Sequence, residues 1–520
     1  MLGGINILLP MIMLKIFDDG IENKSIKLII FYCSIFILLT LCSVFFSYKY
    51  TMIITVLENN LAYETRCTLI DRIFKMPGVF FNNMDNGELY TILYCDVEKI
   101  PSFLTKTILN LIKDILTLFG LIFFLSKLQL ELLIILILFQ IFIVVIQNKF
   151  KIKVENGNIK YRDSIIEKNK ISQEFIFNIF SIICAKFEYK MYKLLRTKEQ
   201  ENIKYNCDLI SINLKNTLVI SFINALMIAT ILCFGGIKVV LGQLSIGALV
   251  TFNIFSQKFI TPITSIYRFP TEILDYKLSW SKIKQKIIET EILEDTGEDI
   301  ASIDKITFNE VGFKYNDILI LEKCEFQLKT GNMYVLVGAS GSGKSTIFKI
   351  LQKQEIATEG EVQLNNKNIL DITDSTYYSK IGFATQDTGI FTASIKDNIS
   401  LFDNKPVDKT IIEQLGLNTL INSKPKGIDT VISSEDKSIS GGEKQRIAIA
   451  RLLNENFDCI LLDESTSSLD KNSVDIVEEC ILSKKDLTVI AITHHLTSKA
   501  IEMGDFILKL EDGKLVPVTM

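Results

Sequence analysis

The segment Gly338-Ala-Ser-Gly-Ser-Gly343-Lys344-Ser345 carries residue types suited to holding a polyphosphate. Its pattern is G-x-x-x-x-G-K-[ST], the phosphate-binding P-loop. Glycine frees the backbone to curl, so N–H groups along Gly338, Ser340, Gly341, Ser342 and Gly343 can close around phosphate oxygens. Lys344 supplies a point charge for the β- and γ-phosphates, and Ser345 a hydroxyl for Mg2+. Thr346 follows, at the start of a helix whose dipole favours the same anion. A second segment, Cys459-Ile-Leu-Leu-Asp463-Glu464, ends in two carboxylates. Asp463 fits a contact to Mg2+ or to its water. Glu464 is the candidate to orient and polarise an attacking water. A third segment ends in Thr493-His494, and His494 and His495 are the only histidines in the chain. A lone histidine is usually structural or at the surface. At the end of a strand the functional reading of His494 stands level with the structural one.

The elements that must position these groups are legible around them. Tyr334-Val-Leu-Val337 reads as a buried strand, residues 346–352 as a helix, and the apolar runs before Asp463 and Thr493 as further buried strands. A carboxylate at the carboxyl end of such a strand faces the crevice where doubly wound sheets bind ligands. The second half of the chain is therefore expected to be an α/β P-loop NTPase.

The first half has a different character. The chain has 520 residues, 48% of them hydrophobic, and a mean hydropathy of +0.30. The excess is unevenly placed: residues 28–46 and 132–146 are uncharged, and nothing comparable follows residue 267. A formal charge of −4 gives no case for a nucleic-acid partner. Ten scattered cysteines form no C-x-x-C pair, so metal-ligand spacing is absent, and reduced, mostly buried thiols are expected.

Six apolar runs, at 2–16, 26–46, 108–125, 130–146, 217–234 and 244–267, predict about six membrane helices. Short loops at 17–25, 126–129 and 235–243 alternate with long segments at 47–107 and 147–216. The 147–216 segment holds 14 Lys+Arg, whereas the loops after the third and fifth runs hold one Lys each. The positive-inside rule places the long segments, and both chain ends, in the cytoplasm. Residues 60–76 and 162–204 mix apolar and charged residues at helical spacing and read as cytoplasmic extensions of the membrane helices. Their turning points fall near 76–88 and 175–187. A grip on a soluble domain and an ordinary solvated amphipathic helix suit those turns equally well. Polar residues inside the runs (Lys113, Asp114, Gln140, Asn224, Asn253 and Gln257) are expected to hydrogen-bond between helices rather than to mark a ligand. The expected division is a membrane domain at 1–285, an acidic linker at 286–303 and a nucleotide-binding domain at 304–520.

Ile439-Ser440-Gly441-Gly442-Glu443-Lys-Gln-Arg446 stands about 20 residues ahead of the Asp463 strand. It resembles the signature motif of the ATP-binding-cassette (ABC) family. The resemblance implies that Ser440, Gly441 and Gly442 cap the γ-phosphate of ATP held by an opposite subunit. Tyr315, after Phe313-Lys314, resembles the aromatic that stacks on adenine. Gln386 resembles the glutamine that meets Mg2+ and the attacking water, Asp470 in Ser467-Ser-Leu-Asp470 closes a stretch similar to the D-loop, and His494 resembles the switch histidine. In the membrane half, six helices with two long extensions look like the family's exporters, whose turning points are coupling helices. Pro77-Gly78-Val-Phe-Phe81 with Gly87-Glu88-Leu89 is similar to their first coupling region.

The resemblance has departures. Position 443 is Glu where Gln is usual, and 439 is Ile rather than Leu, but the Ser-Gly-Gly core is intact and capping of ATP is expected to survive. The exporters' Gly-Glu-Arg-Gly stretch reads Ser433-Ser-Glu-Asp436, so details of coupling do not carry over. The chain starts within what resembles the first membrane helix, and a short native start and a truncated one are both open. An N-terminal peptidase domain, present in some peptide exporters, is read as absent. The resemblance implies an ATP- and Mg2+-dependent exporter working by alternating access as a dimer with two composite sites. A homodimer is the simpler arrangement and a heterodimer with a related half the other. The partners implied are the second half, the lipid bilayer and an exported substrate. Peptides, lipids and amphipathic drugs all suit such a cavity. The richness in Ile, Lys and Asn leans towards a bacterial plasma membrane. The rival reading is a membrane sensor or channel regulator that does not pump.

Overall fold

The structure is a computed structural model that describes residues 2–292, 297–316, 318–339, 341–384, 389–403, 405–463, 471–482, 484, 486–492, 505–511 and 513–517. Its contacts divide the chain into two compact units, 1–68 with 92–284, and 69–91 with 285–520.

The helices of the N-terminal half are α1 (Leu2–Lys15), α2 (Ile26–Phe74), α3 (Gly78–Asn83), α4 (Asn86–Leu128), α5 (Leu130–Phe177), α6 (Ile179–Cys184), α7 (Glu188–Val240), α8 (Ile246–Ser256) and α9 (Ile260–Ile283). Among the described residues α2, α4, α5 and α7 are long and apolar enough to cross a membrane, with 18-residue windows of mean hydropathy 2.6, 2.1, 2.8 and 2.3. The 53 residues of α7 rise about 80 Å, far more than the roughly 30 Å of a bilayer's hydrocarbon. The first and sixth apolar runs are helical but fall short of that standard. The first is the 14-residue α1, and the sixth is split between α8 and α9 by a 3-10 turn at Gln257–Phe259. The loop expected at 17–25 is helical over most of its length, because a π-turn at Ile16–Glu22 continues α1. Asp18 then accepts a hydrogen bond from Ser245 Oγ at 2.8 Å, and the same Ser245 caps α8 by accepting from Ala248 N.

Leu121, Leu125, Leu132, Leu136, Met227, Ile231 and Phe252 meet in a fully buried core of α4, α5, α7 and α8. Two of the polar residues in the apolar runs bridge helices here. Asp114 accepts from Ser265 Oγ at 2.6 Å, and Gln140 Nε2 donates to Met227 Sδ at 3.6 Å. Beyond the apolar stretch α5 and α7 stay paired. Asn202 donates to Ser164 at 3.0 Å, Lys198 meets Glu167 at 2.9 Å, and Gly157 lies where a Cβ would stand 3.1 Å from Leu209 Cδ1. Exposed ion pairs of this kind contribute about 0–1 kcal/mol each, so close packing of side chains against backbone holds the pair. The cysteines depart from expectation. All ten are free, but only Cys324, Cys459 and Cys480 are buried, while Cys67, Cys95, Cys207 and Cys233 are exposed on long helices and Cys184 is exposed at the end of the short α6.

In the second unit the strands, in chain order, are β1 (Lys305–Tyr315), β2 (Ile318–Lys329), β3 (Met333–Val337), β4 (Glu359–Leu364), β5 (Lys367–Asn368), β6 (Ile381–Ala384), β7 (Ala393–Ser394), β8 (Val431–Ile432), β9 (Cys459–Asp463), β10 (Thr488–Ile492), β11 (Phe506–Glu511) and β12 (Lys514–Pro517). The central sheet has the order β12-β11-β3-β10-β9-β6, and all its pairs are parallel except β11 with β12. An antiparallel sheet, β2-β1-β4-β5, and the short pair β7-β8 complete the strands. Side chains on a strand alternate between faces. Tyr334, Leu336, Leu461, Ile490 and Ile492 are buried in the core shared with the antiparallel sheet. Met333, Val335, Ile460, Leu462 and Val489 are buried in a second core under the helices Ile395–Ser400 and Gly441–Asn454. Burial on both faces is why these strands read as unbroken apolar runs. Ile492 pairs with both Leu336 and Asp463, and Ala384 with Leu462, so β3, β10, β9 and β6 end almost level.

Candidate nucleotide site

The level strand ends bring the P-loop and Asp463 to one edge of the sheet. The P-loop follows β3, Asp463 closes β9, and β10 lies between them. Gln386 follows the end of β6 by two residues and His494 the end of β10 by two. The carboxyl ends of adjacent parallel strands form the usual ligand-binding edge of such a sheet. Gln386, Glu464, Asp470, His494 and Ser340 lie outside the described residues.

The P-loop owes its shape to its glycines. A Cβ on Gly338 would lie 2.8 Å from Leu510 O, and one on Gly343 2.9 Å from Ile320 Cγ2. Gly341 and Gly343 have φ of +80° and +105°, the left-handed region that glycine enters without strain. Gly343 is the N-cap of the eight-residue helix Lys344–Leu351, which we label α10. Lys344 is 4% exposed, and its Nζ donates to Gly338 O at 2.8 Å and Ala339 O at 2.9 Å. The ammonium is thus folded back over its own loop. Ser345 is exposed and Thr346 is buried.

Two features fit this loop to phosphate. A Cβ on Gly341 would meet nothing within 4 Å, so the loop borders open space there. Ser342 Oγ is buried and has no hydrogen-bond partner among the described residues. A buried hydroxyl without a partner is costly unless a ligand satisfies it. The oxygen donors here that could hold Mg2+ are the Ser345 hydroxyl and the half-buried Asp463 carboxylate. Among the described residues no cluster of three or more His, Cys, Asp or Glu is arranged to hold a metal.

Tyr315 ends β1. Its hydroxyl donates to Glu355 Oε1 at 3.1 Å, and its ring meets Phe313 edge-on at 4.8 Å. Partial burial, followed by the bond and the charge of Glu355, raises this hydroxyl above the usual tyrosine range, so it stays protonated and remains a donor.

Ser440 stands apart from these groups. It is the N-cap of the helix Gly441–Asn454, labelled α11, and it is exposed. Glu443 N donates to Ser440 Oγ at 3.2 Å, while Ser440 N donates to Glu443 Oε2 at 2.8 Å, completing a capping box. Glu and Gln both serve at this third position, which explains how the unusual Glu443 is accommodated. Gly441 and Gly442 form the first turn. The divergent stretch 433–436 is a turn closed by Asp436 N to Ser433 O at 3.2 Å and held to α11 by Lys444 Nζ on Ser434 O at 2.7 Å.

Four residues around the site were not singled out from the sequence: Asn82, Lys349, Lys353 and Glu355. No motif marks them, and their partners are distant in the chain.

The fold and the sheet edge define a class, an α/β P-loop unit joined to a helical unit with membrane-crossing helices. Comparison with known proteins narrows it. Residues 1–263 match the ABC transporter transmembrane region family, and residues 321–467 match the ABC transporter family. The chain belongs to the ABC transporter family and is an integral membrane protein. It is 28% identical over 475 residues to the lactococcin-A transport/processing ATP-binding protein LcnC of Lactococcus lactis, covering 89% of this chain. It spans 65% of that relative's length. It is 27% identical over 473 residues to an ATP-dependent lipid A-core flippase of Idiomarina loihiensis, covering 87% of this chain and 79% of the relative. Among solved structures, a bacterial Atm1-family ABC exporter with ATP bound shares the fold, with a TM-score of 0.80 at 20% identity over 99% of this chain and 92% of that one.

Proposed function

We propose that this chain is one half of an ATP-hydrolysing exporter of the bacterial plasma membrane, working by alternating access as a dimer. The observation that carries the reading is the convergence of Lys344 and Asp463 at one edge of the parallel sheet, with Ser440 on a separate, outward helix end. Phosphates would lie in the P-loop against Lys344 and the Ser342 hydroxyl, with adenine against Tyr315. Ser345, Asp463 and Gln386 would hold Mg2+, which when bound neutralises charge on the β- and γ-oxygens. Glu464 orients the water that attacks the γ-phosphorus as the bond to the β-phosphate oxygen breaks, and takes up its proton. By the family resemblance His494 would meet the same γ-phosphate and Asp470 would lie at the subunit contact. The exposed Ser440, its hydroxyl exchanging Glu443 for phosphate, and the N–H groups of Gly441 and Gly442 would cap the γ-phosphate bound by a second copy.

Two further features support a dimer. At the tip between α5 and α7, Phe177 is 84% and Phe180 76% exposed. In the second unit a cavity of about 660 Å³ is lined in part by Phe81, Tyr378 and Phe383. Apolar surface of this kind marks an interaction site, and in a dimer a second copy of the chain would cover it.

The test is transport by the full chain in liposomes, with ATPase measured on the same preparation. ATP-dependent accumulation of a peptide or lipid reporter, lost in Glu464→Gln together with steady-state hydrolysis while ATP still binds, is the expected result. Hydrolysis without vectorial transport of any reporter would favour the sensor or regulator instead. Near-normal turnover in Glu464→Gln would remove that residue from catalysis.

A further inference from the structure

The short helix α3 packs within the nucleotide-binding unit. A Cβ on Gly78 would lie 2.6 Å from Lys353 O, so the start of α3 rests directly on that backbone. Lys353 is itself fixed. It is buried at φ +54°, and its Nζ donates to Ile372 O at 3.0 Å and Asp374 Oδ1 at 2.6 Å, lying 4.5 Å from the centre of the Tyr377 ring. Near the end of α3, Asn82 uses both ends of its amide. Its Nδ2 donates to Glu355 Oε1 at 2.5 Å, and its Oδ1 accepts from Lys349 Nζ at 3.1 Å. Lys349 is on α10, the helix that carries Lys344, and Glu355 lies four residues beyond that helix. The oxygen of Glu355 that accepts from Asn82 also accepts from the Tyr315 hydroxyl.

We propose that Glu355 is a positioning residue that ties the Tyr315 hydroxyl to Asn82, so that the seating of α3 sets the orientation of the Tyr315 ring and with it the affinity for ATP. The proposal rests on the reading that Tyr315 stacks on the adenine. The tyrosine side chain turns about two bonds; a hydrogen bond at its far end fixes the first, which sets where the ring lies, and the in-plane preference of the phenol O–H biases the second. Pre-orienting a stacking surface raises affinity by removing the cost of ordering it on binding. The Glu355 carboxylate is held in turn by the amide of Asn82, two residues past the rigid Lys353. Linkage is reciprocal, so nucleotide on Tyr315 must strengthen the hold on α3 by the same factor. Neither Asn82 nor Glu355 belongs to the phosphate or metal machinery; the route from Glu355 to the ligand runs through Tyr315, and the Asn82 bond to Lys349 is a second contact with α10 that the Tyr315→Phe background separates from it.

The experiment is a double-mutant cycle on the full chain, reading the Kd for a slowly hydrolysed ATP analogue with Mg2+. Asn82→Ala is expected to weaken binding roughly two- to fivefold, the worth of one hydrogen bond. In a Tyr315→Phe background, where the ring remains and the hydroxyl is gone, Asn82→Ala should weaken it no further. Glu355→Gln, which keeps an acceptor oxygen, should bind within about twofold of wild type, whereas Glu355→Ala should match Asn82→Ala. Equal weakening by Asn82→Ala in both backgrounds, or no weakening in either, overturns the proposal. Should Asn82→Ala fail to fold, the Glu355→Gln and Glu355→Ala pair decides alone, and equal affinity in the two is the overturning result. A wild-type chain that binds no nucleotide would sink the site reading itself, and the proposal with it.

Discussion

At the scale of single residues, Glu443 has the clearest consequence. It completes the capping box of α11 and accepts the Ser440 hydroxyl proton as well as the Ser440 N–H, both at 2.8 Å. A carboxylate there suits the positive end of the helix. It also sets a negative charge beside the group proposed to face a γ-phosphate, and like charges in a closed interface repel. Glu443→Gln keeps a capping side chain and removes the charge. The expected outcome is a lower ATP concentration for half-maximal ATPase, by roughly two- to tenfold (about 0.5–1.4 kcal/mol), with a melting temperature close to wild type. A raised requirement for ATP would mean that the charge helps closure rather than opposing it. At the same scale, Cys459 shows what burial does to chemistry. Its place in the core pushes the thiol up to about 12, and the nearby Asp458 adds to the shift, so it stays protonated.

At the scale of elements, α3 has a backbone-level requirement. Pro77 precedes it in extended conformation with φ −62° and ψ 151°, as an N-cap without a side-chain bond. Gly78 then opens the helix where no side chain fits. Gly78→Ala puts a methyl 2.6 Å from a backbone oxygen that Lys353 cannot withdraw, because its own side chain is buried and bonded on three sides. Overpacking of this kind costs about 1–3 kcal/mol. Hydrogen exchange over residues 78–83 should speed up, while exchange in β3, β9 and β10 stays slow. Gly236→Ala serves as the control. It lies within α7 with nothing within 4 Å of its Cβ, and alanine is the better helix former. Unchanged exchange in Gly78→Ala would show that α3 seats without the close approach.

At the scale of the whole molecule, the separation of Ser440 from the P-loop decides between one-chain and two-chain sites. Among the described residues the Ser440 hydrogen bonds run to Glu443 and Lys444 of its own helix, not to the loop at 338–345. Ser440→Arg should therefore bind ATP and fail to hydrolyse it, and Lys344→Ala should lose phosphate affinity through loss of the buried ammonium. In a mixed dimer one composite site carries both lesions and the other carries neither. Partial recovery of ATPase on mixing two inactive variants is the expected result, reaching at most about a quarter of wild type from random pairing with one intact site of two. Full activity of Ser440→Arg alone, or of a monomer whose rate does not depend on concentration, would end the two-chain reading.

The sequence by itself determined what is local. The P-loop glycines, Lys344, the apolar strand before Asp463 and the Ser440 helix start are each written in a few consecutive residues, because backbone conformation and strand or helix period are set at that range. Apolar run length likewise exposed the membrane helices, although the breaks at Gln257–Phe259 and the π-turn after α1 escaped it, since both depend on packing rather than composition. Only the tertiary structure decided what is distant. It inserted β10 between β3 and β9, although β10 follows β9 in the chain, and so brought the P-loop and Asp463 to one sheet edge. It seated residues 69–91 with the second unit. It also set Glu355 against Tyr315 and Asn82, 40 and 273 residues away. A hydrogen bond across such a gap leaves no periodic trace, because nothing in the intervening chain repeats with it. Its partners meet only when the sheet and the helices around it have closed.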